Sequence, residues 1–344
     1  MKTLSSIEVN FIVTELKSLE GARLDKVFEQ ENEFVIKLYK LKNIFLDIIP
    51  GHFVIIAQEK SFESEPSQFC MILRKYLTSA TLDKVEQIDF ERIIKFSFRY
   101  KEQCYDLIVE LFGTGNIILT KENKIISCKD KREFKDRKVI PGVEYQKPPS
   151  NAPNLKQIQQ EEFSELLDKS KKESMVKKLA IDFGLGGVFA EEILIRSDID
   201  KNKSKIDDKQ KQAILSEIKE MLTSYISANI SDNQAYPIKM LTKTSQEDLE
   251  SFSQAIEKTK DVITPDSKKD QELESLNSIL TSQQEQLKEL ESKIIQYKEI
   301  GDSLYKNYNE IDQLIKEVKD TKWKTSNPKI TEKLPDQYKI VIEL

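Results

Sequence analysis

Residues 87–98 read QIDFERIIKFSF. In a β-strand, where side chains alternate between two faces, Phe90, Arg92, Ile94, Phe96 and Phe98 share one side. That side is apolar except for a guanidinium near its start. A guanidinium so placed must find a carboxylate or border a cleft in which an anion binds. The opposite side carries Glu91, Ile93, Lys95 and Ser97. An internal Arg–Glu pair tying the sheet to the first helix is the architectural alternative.

Three further stretches carry polar or backbone chemistry. In SQFCMILRKYL (67–77), Phe69, Ile72, Leu73 and Leu77 fall at helical spacing and read as core. Arg74 and Lys75 then lie at its edge, either solvated or available to phosphates. In LFGTGNIIL, Gly113 and Gly115 permit a positive φ or a close backbone approach, and a tight turn is the simpler reading. GTG is too short for a dinucleotide fingerprint. The GLGG stretch (184–187) can aim amides of Gly184, Gly186 and Gly187 at a phosphate from a helix N-terminus, with packing as the alternative. Lys177 and Lys178 favour that use, whereas Glu191 and Glu192 oppose it.

Composition narrows the function classes. One histidine (His52, after Pro50-Gly51) and three scattered cysteines (Cys70, Cys104, Cys128) leave no histidine metal site, no hydrolase triad and no disulfide framework. No cofactor or metal is expected. No run approaches the ~18–20 apolar residues of a membrane span, and the N-terminus lacks a signal-peptide pattern, so a reduced, cytoplasmic setting is expected. Net charge is −5, yet residues 1–150 hold 24 Lys/Arg against 23 Asp/Glu, which leaves room for a local basic patch. Lys129–Lys138, with six basic and three acidic residues, is one candidate; a solvated loop is the plainer reading.

The elements that must position these residues follow from pattern. Ser5 and Glu8 form a capping box opening a first helix, with Ile7, Phe11, Ile12, Leu16 and Leu19 at helical spacing and Gly21 at its end. Four strand-like runs follow (RLDKVFEQ, EFVIKLYK, NIFLDII, FVIIAQ), then a helix opened by Ser64 and Pro66, then four more strand-like runs. Residues 1–145 therefore read as an α+β domain, antiparallel and β-rich with two helices. Residues 146–170 read as a proline-rich linker and the start of a helical region. Residues 171–262 read as all-α, with a helix–hairpin–helix around GLGG and a further helix over 209–227. Residues 263–322 carry heptads from Leu273 to Val318, apolar at twelve of fourteen a and d positions, the mark of a coiled-coil helix ~70 Å long. Residues 323–344 end inside a β-type run. The seam needs a partner helix, expected in a missing part of the same chain, with self-association as the alternative.

Taken together, SQFCMILRKYL, the Glu91–Arg92 pair, LIVELFGTGNIIL (107–119) and NYNEIDQLIKEVKD (307–320) resemble the N-terminal portion of the NFACT family, once labelled fibronectin-binding protein A. The helix–hairpin–helix and coiled coil follow in the family's order, and the family's NFACT-R domain is absent. The resemblance implies a ribosome-quality-control factor on a large ribosomal subunit that still holds peptidyl-tRNA. Such a factor recruits tRNA for mRNA-free tailing of the nascent chain, while the ribosome makes the peptide bonds, so it is no enzyme. The resemblance assigns tRNA binding to Glu8, Glu91 and Arg92, and makes Arg74, Lys75, Gly113, Gly115 and Asn116 candidates for RNA contact. The family often has aspartate where this chain has glutamate, which moves the carboxylate by about the length of one methylene. The competing readings are a coiled-coil scaffold or an RNA-binding adaptor without tailing. A DNA glycosylase is disfavoured because Met1-Lys2-Thr3 lacks the N-terminal proline nucleophile, and a surface adhesin because no export signal is present.

Overall fold

The computed structural model describes residues 2–60, 62, 65–134, 137–149, 152–243, 247–260, 291, 294, 297–298, 301–303, 305–335 and 339–342. The chain divides into two units, Met1–Ile263 and Thr264–Leu344.

The first unit is α+β. Helix α1 (Ser6–Leu16) opens with the expected capping box, Ser5 at the N-cap and Glu8 at N3. Strands β1 (Arg23–Gln30), β2 (Glu33–Lys40), β3 (Lys42–Ile49) and β4 (Phe53–Ala57) follow as an antiparallel meander. Helix α2 (Gln68–Leu77) leads to a second meander, β5 (Thr81–Gln87), β6 (Ile93–Tyr100), β7 (Gln103–Glu110), β8 (Asn116–Lys121) and β9 (Lys124–Cys128). All nine strands form one sheet in the order β4-β3-β2-β1-β5-β6-β7-β8-β9.

That order is two copies of one plan, a helix followed by a meander, meeting where β1 pairs with β5. Leu24 N donates to Ala80 O and Leu82 N to Ala22 O, each at 2.8 Å. The tetrapeptide LDKV recurs at 24–27 and 82–85, and the register slips at the same place in both strands, between Leu24 and Lys26 and between Leu82 and Lys84. The copies differ at their first hairpin. Glu31 and Asn32 alone separate the pair Gln30↔Glu33, whereas residues 88–93 separate Gln87↔Ile94.

A short hairpin, β10 (Arg132–Glu133) with β11 (Lys138–Val139), precedes the helical part. Next come α3 (Gln160–Lys169), the short α4 (Met175–Lys177), a π-helical stretch Lys178–Asp182, α5 (Gly187–Arg196) and α6 (Asp208–Thr223). The stretch left without a clear pattern holds a small sheet, β12 (Asn229–Ser231), β13 (Gln234–Tyr236) and β14 (Glu247–Asp248), and then α7 (Phe252–Lys260). One hydrophobic core runs from Phe96 and Phe98 on the sheet through Leu155, Ile158 and Phe163 to Ile214 and Phe252. The stretch expected as a linker therefore contributes to that core, with Leu155 fully buried, and the all-α region includes strands.

In the second unit, α8 (Tyr308–Asp320) packs Leu314 and Val318 against Ile330 in a hairpin of β15 (Ile330–Leu334) and β16 (Lys339–Ile342). The heptad positions before Ile294, and Leu304, lie outside the described residues. At Ile294, Tyr297 and Tyr308 the seam residues are exposed. No helix among the described residues is long and apolar enough to cross a membrane.

Candidate functional site

Arg92 does not lie on the strand face that the alternation predicts. Strand β6 begins at Ile93, and Phe90, Ile94, Phe96 and Phe98 do join the core, but Arg92 belongs to the preceding loop. The reason is local: Asp89 (φ 45°) and Phe90 (φ 62°) both take the left-handed conformation, which breaks the alternation. Aspartate tolerates that region; phenylalanine does not readily, and such residues cost roughly 1–3 kcal/mol each. Burial of the Phe90 ring holds it there.

The backbone around Arg92 is fixed on both sides. Glu91 N donates to Ile88 O at 2.7 Å, and Leu111 N donates to Arg92 O at 2.8 Å. Gln87 Nε2 donates to Ser6 O at 2.8 Å and to Glu91 O at 2.9 Å, binding the loop to the start of α1. Lys156 Nζ donates to Gln87 Oε1 at 2.8 Å and sits 5.9 Å from the Phe90 ring centre. The Arg92 side chain, half-buried, makes no hydrogen bond and no ion pair among the described residues. Burial lowers its pKa from the ordinary value while the Glu91 charge acts the other way. A guanidinium nevertheless stays protonated, so a half-buried positive charge has the Glu91 charge near it but no hydrogen bond or ion pair among the described residues.

It borders a cleft of about 300 Å³ whose walls are Ser5 and Ser6 of the α1 entry, Phe90–Arg92, Pro153, and Gly184 and Gly186. Two sequence-predicted groups thus meet here, the Glu91–Arg92 pair and the GLGG turn. Gly184 (φ 68°) and Gly186 (φ 75°) are left-handed, and a Cβ on Gly184 would sit 3.2 Å from the Ala152 Cβ. Gly186 caps α5, so Gly187 opens the helix, and its first-turn amides have no acceptor within the helix. A guanidinium and a helix N-terminus on one cleft make a site for an anion. Glu191 and Glu192 do not oppose this: Glu191 pairs with Lys201 at 2.9 Å, and buried Glu192 accepts from Leu241 N and Thr242 N. Lys177 and Lys178 do not help it either, since Lys177 pairs with Glu173 and Lys178 Nζ donates to Leu167 O at 3.2 Å.

The other predicted residues are engaged elsewhere. Glu8 is 5% exposed; one oxygen accepts from Ser5 N and Ser5 Oγ at 2.8 and 2.9 Å, the other pairs with Lys2 at 2.6 Å. Arg74 Nε donates to Val27 O at 2.8 Å, bracing α2 on β1, and Lys75 is exposed with its ammonium 5.3 Å from the Tyr76 ring centre. Asn116 is fully buried, donating to Asp130 O and accepting from Ile117 N and Asp130 N. Gly115 (φ 68°) is explained by packing, because a Cβ there would lie 1.9 Å from Gly51 N; Gly113 (φ 57°) turns in open space. In the basic loop, Arg137 is buried and forks onto Glu110 at 2.8 and 2.9 Å, while Lys129 and Arg132 pair with Asp130 and Lys138 with Glu133. Gln87 and Lys156 were missed by sequence reasoning. The longer first hairpin of the second LDKV copy was the signal that could have found the loop they hold.

The comparisons agree on the family. The chain matches the family described as NFACT N-terminal and middle domains over residues 5–343. The archaeal Rqc2 homolog aRqcH of Methanocaldococcus jannaschii is 29% identical over 352 residues, 93% of this chain and 52% of that protein. The ribosome quality control complex subunit NEMF of Homo sapiens is 32% identical over 126 residues, 36% of this chain and 12% of that protein. The chain therefore spans about half the length of the archaeal relative and less of the human one. The solved N-terminal part of the fibronectin/fibrinogen-binding protein from Streptococcus suis shares the fold with a TM-score of 0.63 at 25% identity, covering 74% of this chain and 98% of that one. With the family match running almost end to end, the chain belongs to the NFACT family, of which it carries the N-terminal and middle domains.

Proposed function

We propose that this protein is a cytoplasmic ribosome-quality-control factor that binds the large ribosomal subunit with stalled peptidyl-tRNA and recruits tRNA for mRNA-free C-terminal tailing. Its relatives carry ribosome-quality-control names. It is not itself an enzyme in this reading; the ribosome joins the amino acids. The single observation that carries it is the Arg92 guanidinium, without a hydrogen bond or ion pair among the described residues, on the cleft between α1 and the GLGG turn. Arg92 takes a tRNA phosphate or base edge beside the Glu91 charge, and the first-turn amide of Gly187 receives a neighbouring phosphate, whereas the Gly186 amide is already donated to Ala180 O at 3.1 Å. Gly184 lets the turn approach closely. Glu8 acts from behind, holding the start of α1 at the cleft wall. The exposed heptad residues Ile294, Tyr297 and Tyr308 seat a partner helix from the same chain or from a second copy.

Crosslinking and sequencing of RNA bound in cells tests this. Wild type should recover selected tRNAs with large-subunit rRNA, and Arg92→Ala should lose the tRNAs while keeping the rRNA. Retention of the tRNAs in the variant would sink the assignment of Arg92.

A further inference from the structure

The nine-stranded sheet has a second face. Leu24, Leu38, Leu82 and Phe98 point into the core beneath α1 and α2, so their strand neighbours point away from it. Register places Tyr39 opposite Arg23, Arg23 opposite Thr81, and Thr81 opposite Arg99, a continuous row across β2, β1, β5 and β6. Opposed residues project to one side, about 5 Å apart. The next row holds Lys37 opposite Lys26 and Lys84 opposite Ser97, followed by Phe28 and by Glu86 opposite Lys95.

Six cations thus occupy the open face of four strands: Arg23, Lys26, Lys37, Lys84, Lys95 and Arg99. Three carboxylates answer them. Asp25 and Asp83, each where the register slips, pair with Lys37 at 2.8 Å and with Arg99 at 2.6 Å, and Glu86 is shared by Lys84 and Lys95. Arg23 has no carboxylate partner among the described residues, and Lys26 has only the Phe28 ring, at 4.9 Å. Asp106 at the border accepts from Ser97 Oγ. Tyr39 is 55% exposed beside Arg23, and Phe28 is half-buried beside Lys26. Excess positive charge with interleaved aromatic rings on an open sheet suits a strand of RNA: phosphates neutralise the cations and unpaired bases stack on the rings.

We propose that this open face binds single-stranded RNA, with Arg23 and Lys26 on its phosphates and Tyr39 under a base. The inference rests on the charges of this face and not on the reading of the cleft. Arg92 and Arg99 flank opposite ends of β6, roughly 20 Å apart at ~3.3 Å per residue, so a substitution in one site leaves the other standing.

The test is fluorescence anisotropy of labelled oligoadenylate with the whole chain across a salt series, set against an RNA duplex and phosphatidylserine vesicles. Arg23→Gln with Lys26→Gln should weaken the oligoadenylate by about tenfold or more and flatten the log–log salt slope by roughly 1.4. Tyr39→Ala should weaken it at least about fivefold without changing that slope. All three side chains are exposed, so the melting temperature should hold. The proposal is overturned if wild type ignores the oligoadenylate, or if the double variant keeps affinity and slope. It is equally overturned if duplex or vesicles bind while the strand does not, or if Arg92→Ala abolishes binding, which would place the oligomer in the cleft.

Discussion

Gln87 ties the two walls of the cleft together: its side-chain amide donates to the Ser6 carbonyl at the start of α1 at 2.8 Å while also holding the Glu91 carbonyl at 2.9 Å. Gln87→Leu keeps the bulk and removes both bonds, together with the one that Gln87 Oε1 accepts from Lys156 Nζ. At about 1 kcal/mol per bond, it should destabilise the protein by roughly 1–3 kcal/mol in urea unfolding. RNA capture should fall by more than that loss accounts for, because the loop that presents Arg92 is released from α1. Equal tRNA recovery at a temperature where both proteins are folded would argue that the loop needs no such tie.

Two arginines, similar in sequence, should behave oppositely. Arg137 is buried and bidentate on Glu110, which also accepts from the Tyr145 hydroxyl at 3.0 Å. Burial and the Glu110 charge both push the Tyr145 phenol up, so it stays a neutral donor at ordinary pH. Arg137→Ala strands the Glu110 carboxylate in the interior and should cost about 3–5 kcal/mol. Arg92→Ala removes a charge with no hydrogen bond or ion pair among the described residues, so stability should change by less than about 0.5 kcal/mol or rise. Thermal melts of the two variants, measured side by side, separate a strut from a ligand-facing group.

Much of the fold was legible because turn residues bound eight strand-like runs, although the last of them, GNIILTKENKIISCK, holds two strands, β8 and β9, turned at Glu122-Asn123. The runs RLDKVFEQ and EFVIKLYK are β1 and β2 residue for residue. The position of Arg92 was not legible, since period-two reading assumes an unbroken strand and Asp89–Phe90 break it with two left-handed residues that only tertiary burial sustains. The small sheet at 229–248 was missed because its strands are two or three residues long, too short for any periodicity. Pairing was the harder part of the site. The types of Glu8, Arg74 and Asn116 suit RNA, but whether a polar side chain is already satisfied depends on partners such as Lys2, Val27 and Asp130, which only the fold brings near.

Gly115 should tolerate no side chain. A Cβ would lie 1.9 Å from Gly51 N and 2.2 Å from the Pro50 carbonyl carbon, backbone atoms that cannot swing aside. The residue also sits at φ 68°. Gly115→Ala should therefore cost more than about 3 kcal/mol and reduce soluble yield, through overpacking added to backbone strain. Gly113→Ala meets no atom within 4 Å and carries only the strain of φ 57°, so it should cost about 1 kcal/mol. Equal losses in the two variants would mean that the turns at 50–51 and 113–115 do not touch in solution.

Asp47 should make stability fall as pH rises toward neutrality. It is fully buried on β3, beside the Glu33 carboxylate, with Lys60 at 3.5 Å and Lys260 at 3.4 Å, and its Oδ1 has no hydrogen-bond partner. Burial, reinforced by Glu33, raises its pKa to about 7, against the pull of the two lysines. Between the ordinary carboxylate range and that value, the folded protein holds a proton that the unfolded chain has released, so stability declines with rising pH at up to about 1.4 kcal/mol per unit. Glu33 has a lowered pKa, despite its own burial, through its contacts with Asp47 and Lys60. Its contribution is lost only as pH falls through the acid range, below the window that Asp47 governs. Lys260 closes the last turn of α7, so ionisation of Asp47 changes the charge on which that helix end is anchored. Urea unfolding at a series of pH values from about 4.5 to 7.5 should show the decline in wild type and a flatter profile in Asp47→Asn, which cannot ionise. A wild-type profile that is flat or rises over that window would show that Asp47 is ionised throughout, held as a carboxylate by Lys60 and Lys260.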